Sequence, residues 1–196
     1  MTTVYLVRHG RTALNAEGRY RGHADPPLDD AGVLEAEETS LRLAAIPLRA
    51  VAASLLRRAI QTAEIVAMPH GLHVEPDPRL IDIDYGSWTA CTQEEAEALD
   101  PELHRAFRSD PRQAATPSER VEDVAERTLE ALCAVSRRHP DSTVAVVSHD
   151  VPIRALLSQL LGFEGERFWT FPLPTASATV LAVTDGQVEV LELPQP

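Results

Sequence analysis

Arg8-His9-Gly10 stands directly after a short apolar, β-rich run, Thr3–Val7. A neutral imidazole is a competent nucleophile. The adjacent guanidinium offers planar donors suited to a phosphate, and the glycine lets the chain pass close to a bound group. A second histidine, His149, directly follows another β-branched run, Thr143–Ser148. Two histidines at the ends of two strands are what one shared site would require. A strand-to-helix junction from Ser54 to Ala63 carries the arginines Arg57 and Arg58. None of the seven histidines shows metal-ligand spacing, and all 18 basic residues are arginine. Any anion bound here is therefore held by arginine, histidine or backbone N–H groups.

The elements that must position these groups read as alternating strands and helices. Thr3–Val7 and Ala50–Ser54 are short strands, and Leu72–Glu75 is a candidate third. Residues Arg8 to Pro27 show no helical period and read as a long loop, a length that is usually functional in a compact domain. Asp29 or Asp30 caps a helix running to about Ala45, and a second helix runs from about Arg58 to Ala67. Thr92 with Glu95 forms a capping-box pattern, and Asp100-Pro101 is a cap followed by proline at the first helical position. Thr116-Pro117-Ser118-Glu119 combines both signals and predicts a helix with a stripe of Val121, Val124, Ala125, Thr128, Leu132 and Val135. Thr143–Ser148 predicts a central strand. A helix through Ile153, Leu156, Leu157, Leu160 and Leu161 ends at Gly162, and a hairpin closes the chain around Asp185-Gly186. This alternation predicts an α/β three-layer sandwich with a mainly parallel sheet and helices on both faces. In such sheets ligands sit beyond the carboxyl ends of strands.

The sequence has 196 residues, 44% of them hydrophobic and 24% charged, with a formal charge of −12. That balance suits a folded domain with a sizeable core. It argues against nucleic acid as a partner, because a duplex binder normally needs a basic face. No apolar run approaches a membrane span, and no export signal opens the chain. The two cysteines, Cys91 and Cys133, need no pairing, so a cytoplasmic setting is expected.

Five ordered stretches carry a family resemblance. They are Leu6-Val7-Arg8-His9-Gly10-Arg11-Thr12-Ala13-Leu14-Asn15, then Gly18-Arg19-Tyr20-Arg21-Gly22-His23 with Pro27-Leu28-Asp29-Asp30-Ala31-Gly32. Next come Ser54-Leu55-Leu56-Arg57-Arg58-Ala59-Ile60-Gln61-Thr62-Ala63 and Leu80-Ile81-Asp82-Ile83-Asp84-Tyr85-Gly86-Ser87-Trp88. The last is Val146-Val147-Ser148-His149-Asp150-Val151-Pro152-Ile153-Arg154. Together they resemble the histidine phosphatase superfamily, with its phosphoglycerate-mutase-like fold, in the branch marked by Arg-His-Gly-x-Thr-x-x-Asn. The resemblance runs from about Thr3 to Leu191. It implies one histidine phosphatase domain over residues 1–196 with a helical insert at about 92–116 over the site.

The resemblance makes His9 the phosphate-accepting nucleophile and Arg8 and Arg58 the phosphate clamp, with His149 completing the pocket. Asn15 and Gly22 are similar to accessory phosphate contacts. Arg58 is chosen over Arg57, which reads as a solvated helix-start residue. The general acid is expected at Asp82, where family members of this branch usually carry glutamate. Asp150 is counted with the phosphate pocket. It also reads as the N-cap of a helix starting near Val151, and as a competing acid by analogy with the His-Asp pair of the acid phosphatase and phytase branch. Asp84 is left out, since an extended segment points it to the opposite face from Asp82. His23 lines the site or is solvated. His70 and His73 fall in a loop, and His104 and His139 read as exposed. Trp88, Trp169 and Phe171 read as core, as does Cys133. The expected activity is hydrolysis of a small phosphorylated metabolite through a covalent phosphohistidine, with no metal and no other cofactor. The alternatives are a cofactor-dependent phosphoglycerate mutase, disfavoured because the acid loop lacks the mutase arginine, and a catalytically dead phosphate-binding module. The natural substrate and the oligomeric state stay open.

Overall fold

The two runs that end in histidine are neighbours in one sheet. A computed structural model describes residues 1–112 and 114–195. In it β1 (Thr2–Arg8) and β4 (Thr143–Ser148) pair in parallel, with Arg8 opposite Ser148. On the other side of β4 lie β2 (Leu48–Ala53) and then β3 (Val74–Pro76), both parallel to it. Beyond β1 the sheet turns antiparallel, through β5 (Ala178–Thr184) and β6 (Gln187–Gln195). The order is β3-β2-β4-β1-β5-β6. This is the expected sandwich with a mainly parallel centre, and the terminal hairpin supplies the antiparallel edge.

The faces of the central strands are apolar on both sides, as a sheet covered by helices requires. Val4, Leu6, Ala52, Val144 and Val146 face one way. They meet α6 (Val121–Arg138) and α7 (Asp150–Leu161), through Val124, Leu132, Ile153 and Leu156. Val7, Val51, Ala53, Ala145 and Val147 face the other way. They meet α2 (Asp30–Leu43) and α3 (Arg57–Ala67), through Leu43, Ala59, Ala63 and Val66. Asp29 caps α2 by accepting the Gly32 N–H, and Gly162 ends α7 at φ +71°. Every residue of the predicted stripe of α6 is buried. No helix among the described residues is long and apolar enough to cross a membrane.

Several local expectations are corrected. The long loop after β1 contains a short helix, α1 (Ala13–Ala16), because Thr12 and Asn15 form a capping box. Thr116 does not open a helix. Its hydroxyl accepts the N–H groups of Ser118 and Glu119 and donates to the Asp84 carbonyl, so it closes a turn, and α6 begins later at Val121. His104 is buried rather than exposed. It lies on α5 (Pro101–Ser109), just after α4 (Gln93–Leu99), and meets the Tyr20 hydroxyl through Nε2 at 2.9 Å. His139 is half-buried against Glu75. Cys133 is partly buried at the margin of the core. A further short helix, α8 (Glu166–Thr170), seats Phe168 in the core between α7 and β5.

Candidate active site

His9 leaves the end of β1, and its backbone N–H still reaches the Ser148 carbonyl on β4. The side chain is fully buried. Its Nδ1 lies 2.6 Å from the carbonyl of Gly10, so Nδ1–H donates there and the ring's lone pair stands on Nε2. Arg58 Nε donates toward that Nε2 at 3.2 Å. Burial, then the charges of Arg58 and Arg8, hold the imidazole far below its ordinary pKa. His9 is therefore neutral at pH 7, the state a nucleophile needs. Gly10 has no room for a side chain, since a Cβ would sit 2.4 Å from the Gly32 carbonyl oxygen at the start of α2.

His149 leaves the end of β4 beside it, with ring centroids 5.0 Å apart. Its Nε2 is 2.7 Å from Ser54 Oγ. Ser54 Oγ also accepts the Leu56 N–H at 3.3 Å, which leaves its own proton free to turn to His149 Nε2. In that arrangement the proton of His149 sits on Nδ1, which is buried without a partner among the described residues and lies 4.0 Å from Asp82 Oδ2. A donor is thus held ready for an anion.

Arg58, in the first turn of α3, is completely buried, whereas Arg57 is exposed. Its guanidinium donates to the carbonyls of Ala24 at 2.6 Å and Gly22 at 2.8 Å, and to Asp82 Oδ2 at 3.1 Å. Gly22 stands at φ +47°, and a Cβ there would be 2.9 Å from the Tyr85 ring. In the described contacts Gly22 orients Arg58 through its carbonyl. Asn15 likewise spends its side-chain oxygen on the N–H and hydroxyl of Thr12.

The two carboxylates lie in different surroundings. Asp82 sits in an irregular loop and is 1% exposed. Burial pushes its pKa up, opposed only in part by Arg58 and Arg21. Asp150 is the first residue of α7 rather than its N-cap, because His149 holds the cap position with extended backbone. Its Oδ1 is 3.0 Å from Arg8 Nη1 and 2.9 Å from Arg154 Nε, and its Oδ2 is 4.0 Å from Arg21 Nη2. Burial alone would raise it, but Arg8, Arg154 and Arg21 outweigh that and hold it below the ordinary carboxylate value. Arg8 also donates to the Leu173 carbonyl.

Sequence reasoning missed Arg21, Arg127 and Ser54 as participants. Arg127, on α6, donates to the carbonyls of Arg79, Ile81 and Asp82, and pairs with Glu119 at 2.9 Å. Glu119 in turn accepts the Asp84 N–H at 2.8 Å. The loop bearing Asp82 is therefore held from behind by one ion pair. His23, exposed at the front, is 3.0 Å from the Asp82 carbonyl through Nε2. The signal for Arg127 was its place between Val124 and Thr128, on the margin of an otherwise apolar stripe.

The sequence matches the family described as the histidine phosphatase superfamily (branch 1) over residues 4–195. It is 34% identical over 194 residues to phosphoserine phosphatase 1 of Hydrogenobacter thermophilus, covering 98% of this chain and 92% of that one. It is 33% identical over 180 residues to a bifunctional protein of Mycobacterium tuberculosis, covering 91% of this chain and 50% of that protein. The solved structure of Bacillus stearothermophilus YhfR superposes with a TM-score of 0.90 at 34% identity, covering 98% of this chain and 96% of that one.

Proposed function

Because the chain belongs to the histidine phosphatase superfamily (branch 1), we propose that it hydrolyses phosphate monoesters of small metabolites in two steps through a phosphohistidine on His9. In the first step Nε2 of His9 attacks phosphorus and the ester P–O bond breaks. Asp82, whose carboxyl burial shifts toward the neutral acid, gives a proton to the leaving alkoxide oxygen. In the second step a water attacks the phosphohistidine and loses its proton to the Asp82 carboxylate. The P–N bond breaks, phosphate leaves, and His9 and Asp82 return to their starting states.

Arg8, Arg58 and the Nδ1–H of His149 surround the transferred group. Phosphoryl transfer depends mainly on positioning and charge stabilisation, and these donors are already fixed by bonds to carbonyls, Asp150 and Ser54. They supply the positive charge that a metal ion supplies in other phosphatases. Asp82 is favoured over Asp150 as the acid because Asp150 is ionised between arginines and has no proton to give. The free thiols Cys91 and Cys133 support a reducing, cytoplasmic setting.

The observation that carries this reading is the 2.6 Å contact of His9 Nδ1 with the Gly10 carbonyl, which presents the opposite nitrogen as a neutral nucleophile. Rapid acid-free quench with a labelled phosphomonoester is the test. We expect an acid-labile phosphoprotein in the wild type, and neither label nor turnover in His9→Ala. Label that persists in His9→Ala would overturn the assignment.

A further inference from the structure

The peptide group between Gly10 and Arg11 makes two hydrogen bonds that the mechanism leaves unconnected. Its carbonyl accepts the Nδ1–H of His9 at 2.6 Å. Its N–H, carried by Arg11, donates to Oε2 of Glu35 at 2.8 Å. A carboxylate and the nucleophile's imidazole thus hold opposite ends of one planar, resonance-linked unit.

The contact follows from the way α2 meets the loop after β1. Asp29 caps the helix and ties it to Arg11 twice: its backbone N–H donates to the Arg11 carbonyl, and its Oδ2 accepts Arg11 Nε–H at 2.9 Å. Gly32, in the first turn, lies flat against Arg11, since a Cβ there would stand 2.7 Å from the Arg11 nitrogen. Glu35 comes three residues later, on the same face of the helix, and is half-buried. From α3, Thr62 Oγ1 accepts the Gly10 N–H at 3.0 Å, so the peptide groups on both sides of Gly10 are fixed.

The charges around His9 give this arrangement a use. Arg58 and Arg8, with Arg21 beyond them, make the ring less basic, and the bond to the Gly10 carbonyl acts in the opposite sense. A hydrogen bond to an ionised acceptor is stronger than one between neutral groups, and bonded groups in a chain polarise one another. A carboxylate on the peptide N–H makes the Gly10 oxygen a better acceptor, which leaves more electron density on Nε2. The effect is greatest as Nε2 attacks phosphorus, when the ring gains positive charge and keeps its Nδ1 proton.

We propose that Glu35 is a positioning residue for the nucleophile, acting on His9 through the Gly10–Arg11 peptide: it holds the proton on Nδ1 and raises the reactivity of Nε2. This rests on the phosphatase reading given above. Glu35 exchanges no proton and forms no bond to phosphorus.

Three variants test it. Glu35→Gln keeps an oxygen for the Arg11 N–H and removes the charge, Glu35→Ala removes both, and Glu37→Gln, at an exposed position of the same helix, controls for net charge. One readout is p-nitrophenolate release from p-nitrophenyl phosphate in a single turnover with enzyme in excess, which reports phosphorylation of His9. The other is the NMR resonance of the His9 Nδ1 proton in the resting protein. Glu35→Gln is expected to slow phosphorylation about fivefold to tenfold, the difference between a charged and a neutral acceptor, with little change in its dependence on enzyme concentration. The Nδ1 proton should move upfield as its bond to Gly10 weakens. Glu35→Ala should be slower still, and the losses should be alike on alkyl phosphates, unlike those from removing an acid. An undiminished rate in Glu35→Gln would overturn the assignment. So would an equal change in Glu37→Gln, or a slower rate with the Nδ1 resonance unmoved, the mark of a merely structural role. A wild type that releases no p-nitrophenolate would overturn the phosphatase reading, and the assignment with it.

Discussion

The loop around Asp82 and the first turn of α7 at Asp150 place the same side chain beside the same pocket and shift its pKa in opposite directions. Asp82 is buried against one guanidinium at 3.1 Å and is pushed toward the neutral acid. Asp150 is nearly as enclosed, but it sits among three guanidinium groups and is held as an anion. Burial acts in the same direction on both, so the number and closeness of cations decides the outcome. The acid is set by its surroundings, and the residue type alone does not assign the role.

The largest expected effect breaks the comparison on its acidic side. Asp82→Asn should lower kcat/KM for alkyl phosphates by about 10²- to 10⁴-fold. The loss should be much smaller for p-nitrophenyl phosphate, whose leaving group needs no proton. The pH profile sharpens this. Asp82 must be protonated and its pKa is raised, so activity on alkyl phosphates falls as pH rises through that raised value. His9 must be neutral and its pKa is lowered, so the acid limb lies well below the ordinary imidazole range. Steady-state profiles of the wild type and of Asp82→Asn should differ in the high-pH limb, and an unchanged limb would remove Asp82 from the role.

The next effect is on the other carboxylate. Asp150→Asn leaves Arg8 and Arg154 without their shared anion and should cost about 3 kcal/mol of folding stability by denaturant titration, the scale of a broken buried pair. Because its pKa is depressed in the fold, the Asp150 carboxylate stabilises at neutral pH, and that contribution is lost as pH falls through the lowered value. The variant should therefore show a shallower loss of stability on acidification. Its activity should fall alike for alkyl and p-nitrophenyl phosphates, the opposite of the Asp82→Asn pattern.

Arg127→Met tests what holds the acid loop. It removes the donors to the Arg79, Ile81 and Asp82 carbonyls. A displacement of about 1 Å at Asp82 would lower kcat on alkyl phosphates by about a hundredfold. The same substitution should add little in an Asp82→Asn background, since both act through one carboxyl. Asp82→Glu should have the smallest effect, a fall of roughly tenfold on alkyl phosphates. The carboxyl already meets Arg58 and the Ile83 N–H at aspartate length, so the longer side chain overreaches. A gain in rate would show that the loop is not adjusted to aspartate.

The parts of the molecule governed by local chemistry were legible in the sequence. The runs Thr3–Val7 and Thr143–Ser148, the caps at Asp29, Thr92 and Asp100, and the αL stop at Gly162 all stand where their residue types predict them. The proximity of His9 and His149 followed from the rule that sites gather at strand ends. What escaped depended on partners distant in the chain. Thr116 and Glu119 looked like a helix start, but their side chains are used by Asp84 and Arg127. Asp150 looked like a cap, but three arginines claim its oxygens. His104 looked exposed because nothing near it in sequence announces the Tyr20 hydroxyl. The carbonyl of Gly22 is taken by Arg58, far along the chain.

The pairing of β1 with β4 joins Val7 to Val147 and Arg8 to Ser148, so the two histidines become neighbours only when strands far apart in the chain are in register. Closing so long a loop is slow, because its entropy is lost before the non-local contacts form. A slip of one residue would turn every side chain of β1 to the wrong face of the sheet. Helices α2, α3 and α6 rest on local pattern and can form ahead of that event. The pocket is therefore expected to form late in folding, so that after denaturation activity should return more slowly than helical signal.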